Sequence, residues 1–295
     1  MKNAIRYYYG LSANDIRLFN KNYYFFDKFQ YVLYEYDRNP SDIDDIYNLS
    51  MELISKNIFC HQLIVNKDKK LITNINGNLY VLLKVFIENR AINFNDVVLF
   101  NQINIMGNYE KLRRDNWFRL WCDNVDYFEY QISEFGKKYR LVNESFSYFI
   151  GLTETGISLC RKQHSITLSN KRLKYNDTLF DLYNPINFII DVRGRNICEF
   201  FKSCFFNNIN LVNEVKTYIL KLNSEEMYMF FVRLFYPSFY FDNFQKIINK
   251  EVSDNVLKKT ISKIDEYQNM VTSMYYFLKK YINLPEVEWI QKNRL

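Results

Sequence analysis

Glycine and proline are scarce in this 295-residue chain, with seven and four copies, where ordinary usage would supply about 20 glycines. Close approach of a backbone to a phosphate depends on residues without a Cβ. The shortage therefore argues against dinucleotide folds and Gly-rich phosphate loops. Histidine is rarer still: only His61 and His164 occur, and neither has a carboxylate, serine or cysteine at the spacing of a catalytic dyad. The five cysteines (Cys60, Cys122, Cys160, Cys198 and Cys204) contain no C-x-x-C pair, so no zinc-ligand spacing exists. Their odd number fits reduced thiols in a cytoplasmic compartment. No apolar run reaches the roughly 18 residues of a membrane span, and the longest candidate, "MYMFFVRLFYPSFYF", is cut by Arg233 and Pro237. The opening "MKNAIRYYYGLSANDIRLF" lacks the apolar core of a signal peptide. The chain reads as soluble and cytoplasmic, without a membrane partner.

What is abundant is hydrophobic and aromatic. Hydrophobic residues make up 48%, with 25 Tyr and 26 Phe, enough for a large core in one big domain or two lobes. The excess of Asn, Ile, Lys, Tyr and Phe also matches the codon bias of an AT-rich genome, so part of it carries no function. The net charge of +6 comes from Lys and Arg scattered among Asp and Glu, the pattern of a mixed solvated surface.

The first part of the chain reads as strands around one helix. "NKNYYFFDKF" and "QYVLYEYD" form a hairpin of β-prone residues. In "NPSDIDDIYNLSMELISKN" Ser41 is placed to cap a helix whose first turn carries Asp42, Asp44 and Asp45. Ile43, Ile46, Tyr47, Leu49, Leu53 and Ile54 recur near helical period. "CHQLIVNKDKKLITNINGNLYVLLKVF" then gives three strand-like pieces. From about residue 87 the texture becomes helical. "YEKLRRDNWFRLWCDNVDYFEYQISEFGKK" and "NESFSYFIGLTETGISLCRKQ" are long amphipathic helices. "SITLSNKRL", "DTLFDLY" and "NFIIDV" are strand-like or irregular, and five helical segments follow. The expected division is an α+β lobe at 1–86 and a mainly helical lobe at 87–295, together one unit.

"DYFEYQISEFGKK", "ESFSYFIGLTETGIS", "NPINFIIDVRGRNICEFFK" and "RLFYPSFYFD" resemble blocks of the CotS/YutH-type spore coat proteins. These belong to the protein-kinase-like superfamily, in its aminoglycoside/choline phosphotransferase branch. The resemblance spans about residues 120 to 245, and the N-terminal part agrees in element order and size. It implies an α+β, two-lobed kinase-like fold with a small antiparallel sheet ahead of a helical lobe. It also implies spore association.

Active members of the wider fold need a Gly-rich loop, a strand lysine, a His-x-Asp catalytic loop and a metal-holding Asp. Only Gly10 stands near the start, and the strand "QYVLYEYD" has no lysine. Lys28 falls in a turn, and without a lysine partner Glu52 reads as an exposed helix residue. In "LSNKRLKYND" the His-x-Asp alignment puts Asn170 at the His and Arg172 at the Asp. Arg172 stays protonated and cannot act as a base, although His164 and Asp177 stand nearby for a shifted register. The family's Arg-Asp before the next helix is here Arg195-Asn196. Asp191 alone keeps its place, at the end of "NFIID". As a metal ligand it would need further oxygens, with Asp181 and Asn187 as helpers. Alternatively it is a structural carboxylate that caps or pairs with Arg193 or Arg195.

In "NYEKLRRDNWFRLW", Lys111, Arg113, Arg114 and Arg119 alternate with Trp117, Phe118 and Trp121. This could serve single-stranded nucleic acid, but the period instead places Leu112, Trp117, Leu120 and Trp121 on one buried face. Nucleic acid is therefore not expected. Lys162, Lys171, Arg172 and Lys174 form a basic stretch able to attract a small anionic ligand. The expected function is a degenerate kinase-like protein that binds a protein partner and needs no cofactor. The competing expectation is an atypical small-molecule phosphotransferase using Mg and ATP.

Overall fold

The computed structural model describes all residues except 87–89, 115, 162–165, 172 and 293–295, and leaves out the side chains at 137 and 292. The residues divide into two compact units. The first comprises 1–96, 102–113 and 168–190, and the second 97–101, 114–167 and 191–295.

The first unit is built on an antiparallel sheet. Helix α1 (Lys2–Tyr9) precedes β1 (Asn14–Phe19), β2 (Asn22–Asp27) and β3 (Phe29–Glu35). Helix α2 (Ile43–Ser55) leads to β4 (Gln62–Ile64), β5 (Ile72–Ile75) and β6 (Asn78–Lys84). The strand order is β1-β2-β3-β6-β4, with β5 also on β6. The hairpin expected around Lys28 is there, with Asp27 facing Phe29. Helix α1 and strand β1 were not anticipated; Met1, Ala4, Ile5, Tyr8 and Tyr9 recur at helical spacing and pack on the core of the sheet. Tyr31 and Leu33 from β3 pack with Phe25, Tyr80, Leu82, Ile75, Ala13 and Ile5 in one core cluster. Tyr80, Val81, Leu82 and Leu83 are all buried, as expected of a central strand covered on both faces.

Helix α2 buries Ile43, Ile46, Leu49, Ser50 and Leu53, the predicted stripe. Its entry differs from expectation. Asn39, not Ser41, supplies the capping oxygen, accepting the Ser41 N–H at 3.0 Å. A 3₁₀ turn at Pro40–Asp42 comes first, and α2 starts at Ile43, one residue later than a Ser41 cap implies.

The expected division at residue 86/87 differs from the observed one, since residues 102–113 and 168–190 belong to the unit of the sheet. Backbone bonds explain this grouping. His61 N–H donates to the Tyr183 carbonyl, and Ile92 N–H to that of Asp177. Arg38 Nη1 donates to the Ile186 and Phe188 carbonyls at 3.1 and 2.7 Å.

The second unit is helical. After α3 (Phe94–Phe100) come α4 (Trp117–Phe135) and α5 (Arg140–Leu159). Strand β7 (Ile166–Asn170), the short helix α6 (Leu179–Leu182) and β8 (Phe188–Val192) come next along the chain, with β7 paired to β8, and residues 168–190 of this stretch belong to the first unit. Where "DTLFDLY" was read as irregular or strand-like, Thr178 and Asp181 form a capping box that starts α6. Helices α7 (Arg195–Phe206), α8 (Val212–Ile219), α9 (Ser224–Leu234), α10 (Ser238–Ile248), α11 (Lys258–Ile261), α12 (Ile264–Leu278) and α13 (Glu288–Lys292) complete the chain. Among the described residues no helix is long and apolar enough to cross a membrane. Pro237 separates α9 from α10, as its fixed φ and missing N–H require.

Aromatic stacking fills this unit. Trp121 stacks on Tyr236 at 4.8 Å, Phe128 on Phe241 at 4.6 Å and Phe149 on Tyr240 at 4.0 Å. Helix α7 lies within it with ten of its twelve residues buried, including Arg195, Glu199 and Lys202. Spacings of four and three put these three charges on one helix face. Lys202 Nζ donates to Glu199 Oε1 at 2.9 Å and to the carbonyls of Arg233 and Tyr236 at 3.2 and 2.9 Å. Glu199 also accepts from Arg233 Nη2 at 3.2 Å and from the Ser238 hydroxyl at 2.5 Å. One carboxylate thereby ties α7, α9 and α10 together. Burial would raise its pKa, but Lys202, Arg233, Arg195 and Ser238 outweigh that and hold it at about 2. Removing one member of a buried ion cluster strands the others, at a cost of about 3–5 kcal/mol. Glu199→Ala should lose that much stability in urea unfolding, and a loss under about 1 kcal/mol would contradict the network's role.

Candidate functional site

Asp191 ends the apolar strand β8, and the turn that follows determines its surroundings. Gly194 has φ +94°, a conformation that residues with a Cβ rarely adopt. It starts α7 so that Arg195 turns back on Asp191. The Arg195 Nε lies 2.8 Å from Asp191 Oδ2 as an ion pair. Asp191 Oδ1 accepts the Trp117 indole N–H at 2.9 Å and the Val192 N–H at 2.7 Å. The carboxylate is 0% exposed. Trp117 opens α4 and is itself covered by the Arg233 guanidinium, 4.3 Å from its ring centroid. Burial raises the Asp191 pKa, opposed by Arg195, Arg233, Trp117 and the Val192 N–H. Arg195, not Arg193, is the residue that pairs with it.

The other positions read from the sequence lie elsewhere. Asn170 is buried, and its amide Nδ2 donates to the Leu182 carbonyl at 3.1 Å. Arg172 and His164 fall outside the described residues. The neighbouring Lys171 lies 3.6 Å from Asp37. Asp177 accepts the Lys174 N–H at 2.6 Å. Burial pushes its carboxyl up to about 6, with the Lys174 N–H opposing and Asp181 adding to the rise. Asp181 accepts the Thr178 N–H and hydroxyl at 2.9 and 2.8 Å, and Asn187 Nδ2 donates to the Asp181 carbonyl at 3.0 Å. Both expected helpers of Asp191 thus serve the start of α6 and belong to the other compact unit. Near the chain start, Gly10 ends α1 with φ 67°. The β1–β2 turn is Asn20-Lys21, both at positive φ, and contains no glycine. β3 carries no lysine, and Lys28 is exposed in the next turn. In the basic segment near α4, Lys111 Nζ donates to the Ser41 carbonyl at 2.8 Å, and Arg119 lies 3.8 Å from Asp123.

Glu52 departs from its expected exposed role. It accepts from Lys56 Nζ at 2.6 Å, the Tyr109 hydroxyl at 2.6 Å, and the N–H groups of Met106 and Gly107 at 2.7 and 3.0 Å. Burial would raise its pKa, but Lys56, Tyr109 and the two N–H groups lower it to about 2. Glu52 thereby anchors the loop at 104–109. That loop needs Gly107, where an added Cβ would meet the Tyr109 ring at 2.4 Å. Apart from Lys56 one turn away, nothing local in the sequence announces this, because the loop partners are more than fifty residues away. Trp117 was equally hidden. Its periodicity grouped it with the buried face of α4, but its indole N–H binds Asp191. The Arg195-Glu199-Lys202 spacing was a legible signal, since one face of an otherwise apolar helix carries three charges.

His61 is fully buried, with Nε2 3.1 Å from the Phe180 carbonyl. Its ring lies 4.4 Å from that of Phe180. Its Nε2 must be the donor, and Nδ1 has no hydrogen-bond partner. Burial lowers its pKa to about 4, against smaller opposing effects of the Phe180 carbonyl and Asp181.

The sheet followed by helices places the chain in the protein-kinase-like class, and solved structures agree. An aminoglycoside phosphotransferase from Alicyclobacillus acidocaldarius matches with TM-score 0.60 and 7% identity over 91% of this chain and 93% of that one. A spectinomycin phosphotransferase solved with ADP and spectinomycin matches with TM-score 0.57 and 10% identity, covering 94% and 97%. An amicoumacin kinase matches with TM-score 0.52 and 11% identity, covering 85% and 93%. At these identities the likeness establishes the fold. No curated protein matches the sequence. A family profile described as "Spore coat putative kinase YutH" matches residues 2–281. The chain belongs to that spore coat family.

The buried histidine gives a pH prediction. Its folded-state pKa of about 4 lies below the ordinary 6.5, so between these values the unfolded chain binds more protons. Stability is full above pH 6.5 and falls as pH drops towards 4. His61 alone accounts for about 3 kcal/mol of that fall. Urea unfolding at pH 7 and pH 4.5 should show a clearly smaller pH-dependent loss in His61→Phe than in the wild type. Equal losses would contradict the assignment.

Proposed function

We propose that this chain is a spore-associated kinase-fold protein that works by binding, as a scaffold for a protein partner, without phosphotransfer. The observation that carries the reading is the state of Asp191. Its Oδ1 accepts two internal N–H donors, and its Oδ2 faces the Arg195 guanidinium at 2.8 Å as an ion pair. Mg²⁺ needs several oxygen ligands in near-octahedral geometry, and these residues do not fit one. Arg195 competes for the same oxygen, and among the described residues no group of three His, Cys, Asp or Glu side chains is disposed to hold a metal ion.

The rest of the phosphotransfer machinery agrees. Arg172, at the Asp of the His-x-Asp alignment, stays protonated at neutral pH and cannot act as the base. β3 offers no lysine to the phosphates, and Glu52 is committed to its own loop. The aminoglycoside-type enzymes that share the fold act on nucleotide and small molecule, whereas this reading keeps their architecture and replaces the chemistry with binding.

A second reading, an atypical phosphotransferase using Mg and ATP, has one observation in its favour. The Asp177 carboxyl is held at about 6, close to the pKa that suits a general base. Thermal-shift titration of the 295-residue chain with Mg²⁺-ATP separates the two. The binding reading expects no saturable shift up to millimolar nucleotide. A saturable shift, with turnover lost in Asp177→Asn, would establish the second reading instead.

A further inference from the structure

We propose that the Arg195 guanidinium is a built-in cation that has taken the place of the divalent metal at Asp191, with Trp117 closing the site over it. This rests on the binding reading above and deepens it, since it assigns the loss of metal chemistry to a particular residue of this chain.

The argument starts from the carboxylate. In kinase-fold enzymes the acid at the end of this strand holds a metal ion, so a positive charge is required opposite it. Here that charge is covalently attached, four residues along the chain. The Gly194 turn at φ +94° returns the chain, and α7 begins at Arg195 itself, so the guanidinium is held by the first turn of a buried helix rather than by a mobile loop. Arg195 is only 7% exposed, Asp191 is 0% exposed, and Nε and Oδ2 are 2.8 Å apart.

The remaining oxygen is occupied differently. Asp191 Oδ1 takes two N–H donors, from Trp117 and Val192, and N–H groups cannot share an oxygen's lone pairs with a metal at the same positions. The Trp117 ring is flanked by two guanidinium groups, Arg233 at 4.3 Å and Arg195 at 5.5 Å from its centroid. These contacts keep the indole in place over the carboxylate by cation–π attraction. Arg233 in turn reaches Glu199, so the closure is fastened to the charge network under α7. Two cations and an indole N–H thus do around Asp191 what a hydrated ion would do, and no exchange with solvent is needed.

The test uses the 295-residue chain, with Mn²⁺ as a paramagnetic stand-in for Mg²⁺, read by electron paramagnetic resonance and by thermal shift. The wild type should bind no Mn²⁺ at Asp191 at concentrations up to about 1 mM. Arg195→Gln removes the cation and strands the buried carboxylate, and it should lower the melting temperature. Arg195→Lys, which keeps a cation, should recover part of that loss, and so should the double variant Asp191→Asn/Arg195→Gln, which removes the stranded charge. The proposal is overturned if Arg195→Gln melts with the wild type, or if neither Arg195→Lys nor the double variant is more stable than Arg195→Gln. The proposal is also overturned if the wild type binds Mn²⁺ in a way that Asp191→Asn abolishes. Wild-type Mg²⁺-ATP binding bears on the binding reading, and the Arg195→Gln response bears on the built-in cation, so the two can fail separately.

Discussion

Everything in the helical unit depends on keeping charge buried without leaving it unpaired. Moving a carboxylate or guanidinium out of water costs several kcal/mol even after relaxation. Five such groups, Asp191, Arg195, Glu199, Lys202 and Arg233, are buried here. They are tolerable because they are arranged as linked pairs. Arg195 answers Asp191, Lys202 and Arg233 answer Glu199, and backbone carbonyls take the remaining Lys202 protons. Aromatic rings then exclude the water that would weaken each pair. Trp121 and Tyr236 stack beside the cluster, and Trp117 lies under Arg233.

On the proposed binding reading, the same logic explains how a phosphotransferase architecture persists without the chemistry. Polar residues singled out in the sequence as candidates for catalytic roles make structural contacts. Asn170 secures the Leu182 carbonyl, Asp181 starts α6, and Glu52 fastens the loop around Met106 and Gly107. Each makes hydrogen bonds inside the fold, as most buried polar groups do.

Most of the fold was legible because its signals are local. The β2–β3 hairpin around Lys28, the apolar stripe of α2, and the helix–Pro237–helix corner follow from alternation, 3.6-residue period and a fixed φ. Helix α1 and β1 were not legible, since what orders them is contact with the core residues Phe25, Tyr31 and Leu33, distant in sequence. The return of residues 168–190 to the sheet unit escaped for the same reason, being fixed by Arg38 from 150 positions away. At the site, Asp191 was found by its place after "NFII", and the Arg193 or Arg195 alternative was correctly framed but undecidable, because both lie within one turn. Gly194 decides it, through a backbone conformation that no spacing rule encodes. Trp117 and the Glu52 anchor needed three-dimensional contacts across 74 and 54 or more positions.

The central claim is that Asp191 is a structural carboxylate coupled to Arg195. A double-mutant cycle in urea unfolding, with Asp191→Asn, Arg195→Gln and the two combined, measures that coupling directly. The account predicts a favourable coupling of at least about 1.5 kcal/mol, near the middle of the range for residues in one ion-pair network. Additivity within about 0.5 kcal/mol would mean that the two side chains act independently, and would contradict it.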